Sequence, residues 1–206
     1  MTASISYNPV QQTNFPGTFF TTSDGFVQGE VMDDPVARFA LRSGIVSSSA
    51  TQPFWGGLGI IETLPGANAI DQIGSILTLA STSVITGFTT FQQAGAMVQT
   101  PQSRVPLAGS QMAVNFYRFG SGARIALPCS SSTAGTLASA VVNAALYWDT
   151  VALQITASSN GNTVALPTTC KVDHVDSVGN SKVVSYNSGT GFANWVENGY
   201  CVVVLI

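Results

Sequence analysis

Met112-Ala-Val-Asn-Phe-Tyr-Arg-Phe119, then Gly120-Ser-Gly122, then Ala123-Arg-Ile-Ala-Leu127 closed by Pro128, is the stretch that decides the fold class. Met112, Val114 and Phe116 alternate with Ala113, Asn115 and Tyr117. Only an extended strand sends alternate residues to opposite faces; a helix groups them every three or four. The glycine turn and the second short apolar segment read as the return strand of a hairpin.

Outward from this hairpin the same pattern recurs. Residues 26–31, 37–41, 57–62, 84–92, 147–156, 170–174, 182–186 and 200–206 are short segments rich in Val, Ile, Thr and aromatics. Between them lie Gly, Pro, Asn and Ser clusters. Asn160-Gly161-Asn162, Val178-Gly179-Asn180 and Asn187-Ser188-Gly189 supply residues that tolerate the backbone of tight turns. Many short strands punctuated this regularly predict an all-β chain, a jelly-roll or related β-sandwich or barrel. One short helix is expected over residues 136–146, where Leu137, Val141 and Ala145 recur four apart. The final Cys201-Val-Val-Val-Leu-Ile206 is continuously apolar and should be a buried central strand, because an exposed one would aggregate.

Composition bounds the function. Seven basic and ten acidic residues make up 8% of the 206, against about a quarter in an ordinary soluble domain. Charges normally keep a surface soluble and apart from its neighbours; here Ser, Thr, Asn, Gln and Gly must cover it. Such a surface points to assembly. Arg38, Arg42, Arg104, Arg118, Arg124, Lys171 and Lys182 are scattered and the net charge is −3, which argues against a nucleic-acid partner, since phosphates need convergent cations. With 45% apolar residues the chain is expected to fold. The N-terminus carries no signal-peptide pattern and no apolar run is long enough to span a bilayer, so no membrane partner is expected. Cys129, Cys170 and Cys201 are odd in number and far apart; they are expected to be small buried side chains made in a reducing compartment.

The first 35 residues differ from the remainder. Tyr7, Phe15, Phe19, Phe20 and Phe26 are spaced by Gln, Thr, Ser and Asn, and Pro9 and Pro16 interrupt any long element. Residues 1–35 therefore read as an extended arm with aromatic anchors, and 36–206 as a single β-rich domain. Each buried Phe is worth about 1.5–3 kcal/mol, so these five residues are the expected partner contacts. The competing reading is an N-terminal strand packed on the chain's own core.

No catalytic constellation emerges. His174 is the single histidine, in Asp173-His174-Val175-Asp176. On a regular strand Asp173 would face away from it, and no G-x-S-x-G elbow offers a nucleophile. Paired carboxylates for glycoside hydrolysis are hard to find among ten acids. Asp173 and Asp176 lack a calcium-loop pattern, and Gly56-Gly57-Leu58-Gly59 precedes a strand and is too short for a dinucleotide loop. Trp55, Trp148 and Trp195 suit core or interface anchoring better than sugar stacking. No enzymatic activity, cofactor or metal is expected.

The order of certain segments carries a resemblance. They are Tyr7-Asn8-Pro9 with Phe15-Pro16-Gly17, Pro35-Val-Ala-Arg-Phe-Ala-Leu-Arg-Ser-Gly44 and Phe54-Trp-Gly-Gly57; then Ile85-Thr-Gly-Phe-Thr-Thr-Phe91, Gly120-Ser-Gly-Ala-Arg-Ile125 and Leu146-Tyr-Trp-Asp149. Over residues 7–150 the chain resembles the capsid decoration, or structural cement, proteins of tailed bacteriophages; residues 157–206 have no counterpart. The resemblance implies a non-enzymatic virion protein made in the bacterial cytoplasm. It would bind the outside of the capsid where major capsid protein subunits meet, and stabilise the shell. A homo-oligomer is expected from the prevalence of symmetric assembly, with a trimer preferred over a dimer because three-fold junctions are natural places for cement. The alternatives are another virion component (a jelly-roll capsid, tail or fibre protein) and a carbohydrate-binding β-sandwich module.

Overall fold

The computed structural model describes residues 25–32, 37–64, 74–91, 98–100 and 103–206. Within these the chain is all-β, with one α-helix and one 3-10 turn. The strands are β1 (Arg42–Val46), β2 (Gly59–Thr63), β3 (Ser75–Leu79), β4 (Gly87–Thr89), β5 (Val98–Thr100), β6 (Ser103–Leu107), β7 (Ala113–Arg118) and β8 (Arg124–Cys129). After helix α1 (Ser131–Ala138) come β9 (Tyr147–Asp149), β10 (Gln154–Thr156), β11 (Thr163–Ala165), β12 (Lys171–Val175), β13 (Ser181–Asn187) and β14 (Phe192–Leu205).

Two bodies of sheet hold twelve of these strands, and β5 and β6 pair antiparallel as a separate ribbon. β1, β3, β2, β4 and β7 close a barrel in that order, β1 parallel to β3 and the other pairs antiparallel. Its interior holds Phe54, Leu58, Ile60, Leu77 and Phe116, all fully buried. Gly87 lets β4 lie tightly on β7: a Cβ there would sit 2.0 Å from the Tyr117 carbonyl oxygen. The second sheet runs β11-β9-β10-β8-β14-β12, with β13 on the outer half of β14. Ile125, Leu127, Trp148, Ile155, Val202 and Val204 form its core, and α1 adds Ala134 and Leu137. Phe88, from barrel strand β4, packs into this second core and meets Trp148 edge-on at 5.3 Å.

Several expectations are corrected. β7 and β8 are not a hairpin: β7 closes the barrel against β1 and β4, whereas β8 pairs with β14 through six residue pairs from Arg124↔Leu205 to Cys129↔Tyr200. Gly120 and Gly122, both at positive φ (82° and 75°), turn the chain from one body to the other. The apolar C-terminal run is the better partner for β8, because it buries Val202, Val203 and Val204 completely.

Residues 37–40 form the 3-10 turn rather than a strand; Ala40 and Leu41 pack on the sheet's core while Phe39 points out. The helix begins earlier than expected, at Ser131, because the Ser130 hydroxyl caps it by accepting from the Thr133 N–H at 3.1 Å. It ends at Ala138, leaving Val141 and Ala145 exposed. Residues 147–156 are two strands, because the Asp149 carboxylate accepts from the Val151 and Ala152 N–H groups and folds the chain back.

The expected C-terminal strand is central and buried, and it starts further upstream, at Phe192. Its outer half, paired with β13, lies over the barrel: Trp195 packs at a tilt on Phe91, 5.1 Å between ring centres, and Tyr186 of β13 on Trp55 at 5.2 Å.

Residues 25–32 are threaded through the body by isolated bridges, Val27↔Lys182 and Val31↔Ile125, rather than as a full strand. The Gly29 and Met32 N–H groups donate to the Ala126 and Arg124 carbonyls, and Ala126 donates back to Glu30. The buried Gln28 side chain donates to the Gly56 carbonyl (3.2 Å) and accepts from the Val184 N–H (2.8 Å). One amide thus ties the barrel to the β13–β14 hairpin.

Candidate functional site: contact surfaces and a neutral cleft

Of the five aromatic residues expected to meet a partner, Tyr7, Phe15, Phe19 and Phe20 lie outside the described residues. Phe26 lies within them, half-buried. Its N–H donates to the Ser181 hydroxyl at 3.0 Å and its carbonyl accepts from the Lys182 N–H at 2.8 Å. The backbone at Phe26 therefore belongs to the body. Phe26 also lines a cavity of about 360 Å³ together with Met32, Arg124, Asp173 and His174.

In that cavity wall His174 Nδ1 lies 2.8 Å from Asp173 Oδ2, and Arg124 Nε lies 3.5 Å from Asp173 Oδ1. A regular strand would separate Asp173 from His174. The register shift between Val172 and His174 against β14 inserts Asp173 as a bulge and brings the two side chains together. His174 itself is well exposed.

Asp176, the other half of the acidic pair, is buried and fully engaged. Its carboxylate accepts from the Val178, Gly179 and Asn180 N–H groups at 3.0, 3.0 and 2.8 Å, and from the Ser181 hydroxyl at 2.6 Å. Burial pushes its pKa up, but these four donors outweigh burial and hold it below the ordinary value. Nothing of it is left to bind a cation. The Ser181 hydroxyl in turn receives the Phe26 N–H, so Asp176 anchors the entry of residues 25–32 into the body.

Glu62 is tied in the same way. Both of its oxygens accept from Arg118, and the Ser75 hydroxyl also donates to it. Arg118 holds its carboxyl below the usual carboxylate range. Glu30 shows the opposite shift: burial raises its pKa, opposed only by the Val27 N–H. Cys129, Cys170 and Cys201 are free and buried. Burial pushes the Cys129 and Cys170 thiols up to about 12 and 11, and raises Cys201 further, which makes them poor nucleophiles at neutral pH. Trp55 and Trp148 are buried core residues. Among the described residues no cluster of His, Cys, Asp and Glu is placed to hold a metal, and no helix is long and apolar enough to cross a membrane.

The outer surface carries unpaired apolar side chains instead. Phe39 is 94% exposed, and Leu64, Val141, Val142, Val151 and Val178 are also mostly exposed. A cleft of about 400 Å³ opens between the barrel rim, the turn after β9 and the β13–β14 hairpin. Sequence reasoning missed this cleft and the Asp176 knot. The cleft is assembled from residues up to 160 positions apart, from Gln28 to Ser188. The Asp176-Ser-Val-Gly-Asn180 turn was legible, because an Asp before a Gly-containing turn offers a side-chain acceptor for free N–H groups.

Comparison with protein-family models, with curated proteins and with solved structures returned no match.

Proposed function

We propose that this chain is a non-enzymatic structural protein of a bacteriophage virion, a cement or decoration protein on the outside of the capsid. In this role it binds at junctions between major capsid protein subunits and stabilises the shell, acting as a homo-oligomer, with a trimer preferred. The observation that carries the reading is the surface: 8% charged residues over the whole chain, with large apolar side chains such as Phe39 standing clear of the body. Partner-facing surface is depleted of charge at its centre and anchored by aromatic residues. Repetition over a shell multiplies a modest contact by avidity. The ordered segments resembling decoration proteins support the same conclusion.

Cryo-electron microscopy of the native particle tests it. Density for this chain is expected outside the shell, at junctions between capsid subunits. Density inside, beside the packaged genome, would overturn the proposal, as would closed particles formed by this chain alone.

A further inference from the structure

The sequence holds two Asn-Gly steps, Asn160-Gly161 and Asn198-Gly199. An asparagine amide lies within reach of the backbone nitrogen of the next residue, which can attack it and close a five-membered imide. A glycine at that next position leaves the nitrogen unshielded, because it has no Cβ. The fold treats the two steps differently. Asn198 and Gly199 lie within β14, where Gly199 pairs with Ser181 and packs so closely on Val183 that a Cβ would sit 2.5 Å from a Val183 methyl. Asn160 and Gly161 lie in the exposed turn between β10 and β11. Among the described residues no acceptor meets the Gly161 N–H, and a Cβ at Gly161 would meet nothing within 4 Å. Neither pairing nor packing holds that nitrogen back.

The groups around Asn160 suit the reaction. The Asn162 N–H donates to Asn160 Oδ1 at 2.7 Å, the atom on which negative charge builds as the Gly161 nitrogen adds to Cγ. A donor already aimed at that atom lowers the barrier. Asn160 Nδ2, the nitrogen that leaves, lies 3.4 Å from Asp149 Oδ2, and a carboxylate beside it favours the positive charge it gathers on taking up a proton. We propose that Asn160 is a site of spontaneous deamidation, and that its conversion loosens the β9–β11 edge of the seven-stranded sheet. In the first step the bond from Gly161 N to Asn160 Cγ forms and the Cγ–Nδ2 bond breaks; the Gly161 proton passes through solvent to the departing nitrogen, which leaves as ammonia. Water then opens the imide at either carbonyl, giving aspartate or isoaspartate. Either product sets a second carboxylate beside Asp149, whose Oδ1 holds the β9–β10 turn through the Val151 and Ala152 N–H groups. In isoaspartate the main chain runs through the former side chain. The Asn160 carbonyl, which accepts from the Thr163 N–H and hydroxyl at 3.3 and 2.9 Å, then leaves the backbone as a free carboxylate, and the entry to β11 is lengthened. The site does not depend on the virion reading, and no particle enters its test.

The test uses the full chain, held at mildly alkaline pH in water labelled with heavy oxygen and sampled by peptide mass mapping, with isoaspartate read by an isoaspartyl methyltransferase. A parallel sample is kept unfolded in guanidinium chloride. Conversion with uptake of heavy oxygen is expected at Asn160, at least as fast in the folded chain as in the unfolded one, whereas Asn198 should convert only when unfolded. Gly161→Ala, whose added methyl meets open space, should leave the chain folded and slow the reaction about tenfold or more. In the converted chain the amides of β9 and β11 should exchange faster while β8–β14 protection stays in place. An Asn160 that stays intact in the folded chain while converting in the unfolded one overturns the proposal. So does equal conversion of Asn198 in the folded chain, or conversion undiminished in Gly161→Ala. Unchanged amide exchange over β9 and β11 after conversion overturns the loosening of the edge.

Discussion

Asp176 shows how much one side chain can organise. Four donors converge on its carboxylate, three of them backbone N–H groups. Asp176→Ala leaves those donors unsatisfied and should lower the unfolding free energy by about 2–4 kcal/mol, read by urea denaturation. Its pH signature follows from the depressed pKa. The stabilisation is complete above the unfolded value, 3.8, and is lost as pH falls through the lower folded value. The wild type should therefore lose stability in strong acid more steeply than Asp176→Ala. Glu30 behaves in reverse, because burial raises its pKa. Its charged form costs stability at neutral pH, and that cost fades as pH falls below the folded value. Glu30→Gln keeps an acceptor for the Val27 N–H and removes the charge. Its midpoint should rise at pH 7 and converge on the wild type in acid, as thermal denaturation at the two pH values will show.

At the scale of elements, the period-two pattern made the strands legible, and the turn residues marked most of their ends. Pairing was not legible. Met112 to Leu127 looks like a hairpin because its turn is local, yet β8 gains more from the distant C-terminal run than from β7. Nothing in a local window reports that competition. The helix was displaced for a similar reason: Leu137, Val141 and Ala145 suggested one face, but the Ser130 cap set the start and only Leu137 reached the core. Of the expected site, Phe26 alone is described, and the cleft escaped notice because it is an arrangement of separate elements. The packing of the outer hairpin on the barrel is testable by two substitutions. Trp195→Ala removes the Phe91 contact and should cost about 3 kcal/mol. Gly87→Ala drives a methyl into the Tyr117 carbonyl and should cost about 1–3 kcal/mol. Both are measured by equilibrium unfolding, and the second should loosen the barrel while leaving β8–β14 amide protection in place.

For the whole molecule, the shortage of charge separates stability from association. A surface held in place by ionic contacts would release its partner at high salt, whereas apolar and neutral hydrogen-bonding contacts are insensitive to screening. Phe39 gives the sharpest case. It is 94% exposed and lies on a 3-10 turn whose neighbours Ala40 and Leu41 are packed on the core, so its presence outside does nothing for the fold. Phe39→Ser should change the unfolding free energy by less than about 0.5 kcal/mol. If Phe39 anchors a partner, the same substitution should cost about 2 kcal/mol or more of binding, a loss of roughly thirtyfold. Truncation must be designed around the bonds of residues 25–32. Removing residues 1–24 keeps the Phe26–Ser181 bond and the Gln28 tie, and should leave a folded chain. Should that chain also fail to assemble, residues 1–24 carry the contact; should it assemble while Phe39→Ser does not, the contact lies at the 3-10 turn. Light scattering for self-association and sedimentation with emptied heads for shell binding distinguish the two, and retention of shell binding by the doubly altered chain would remove both surfaces from consideration.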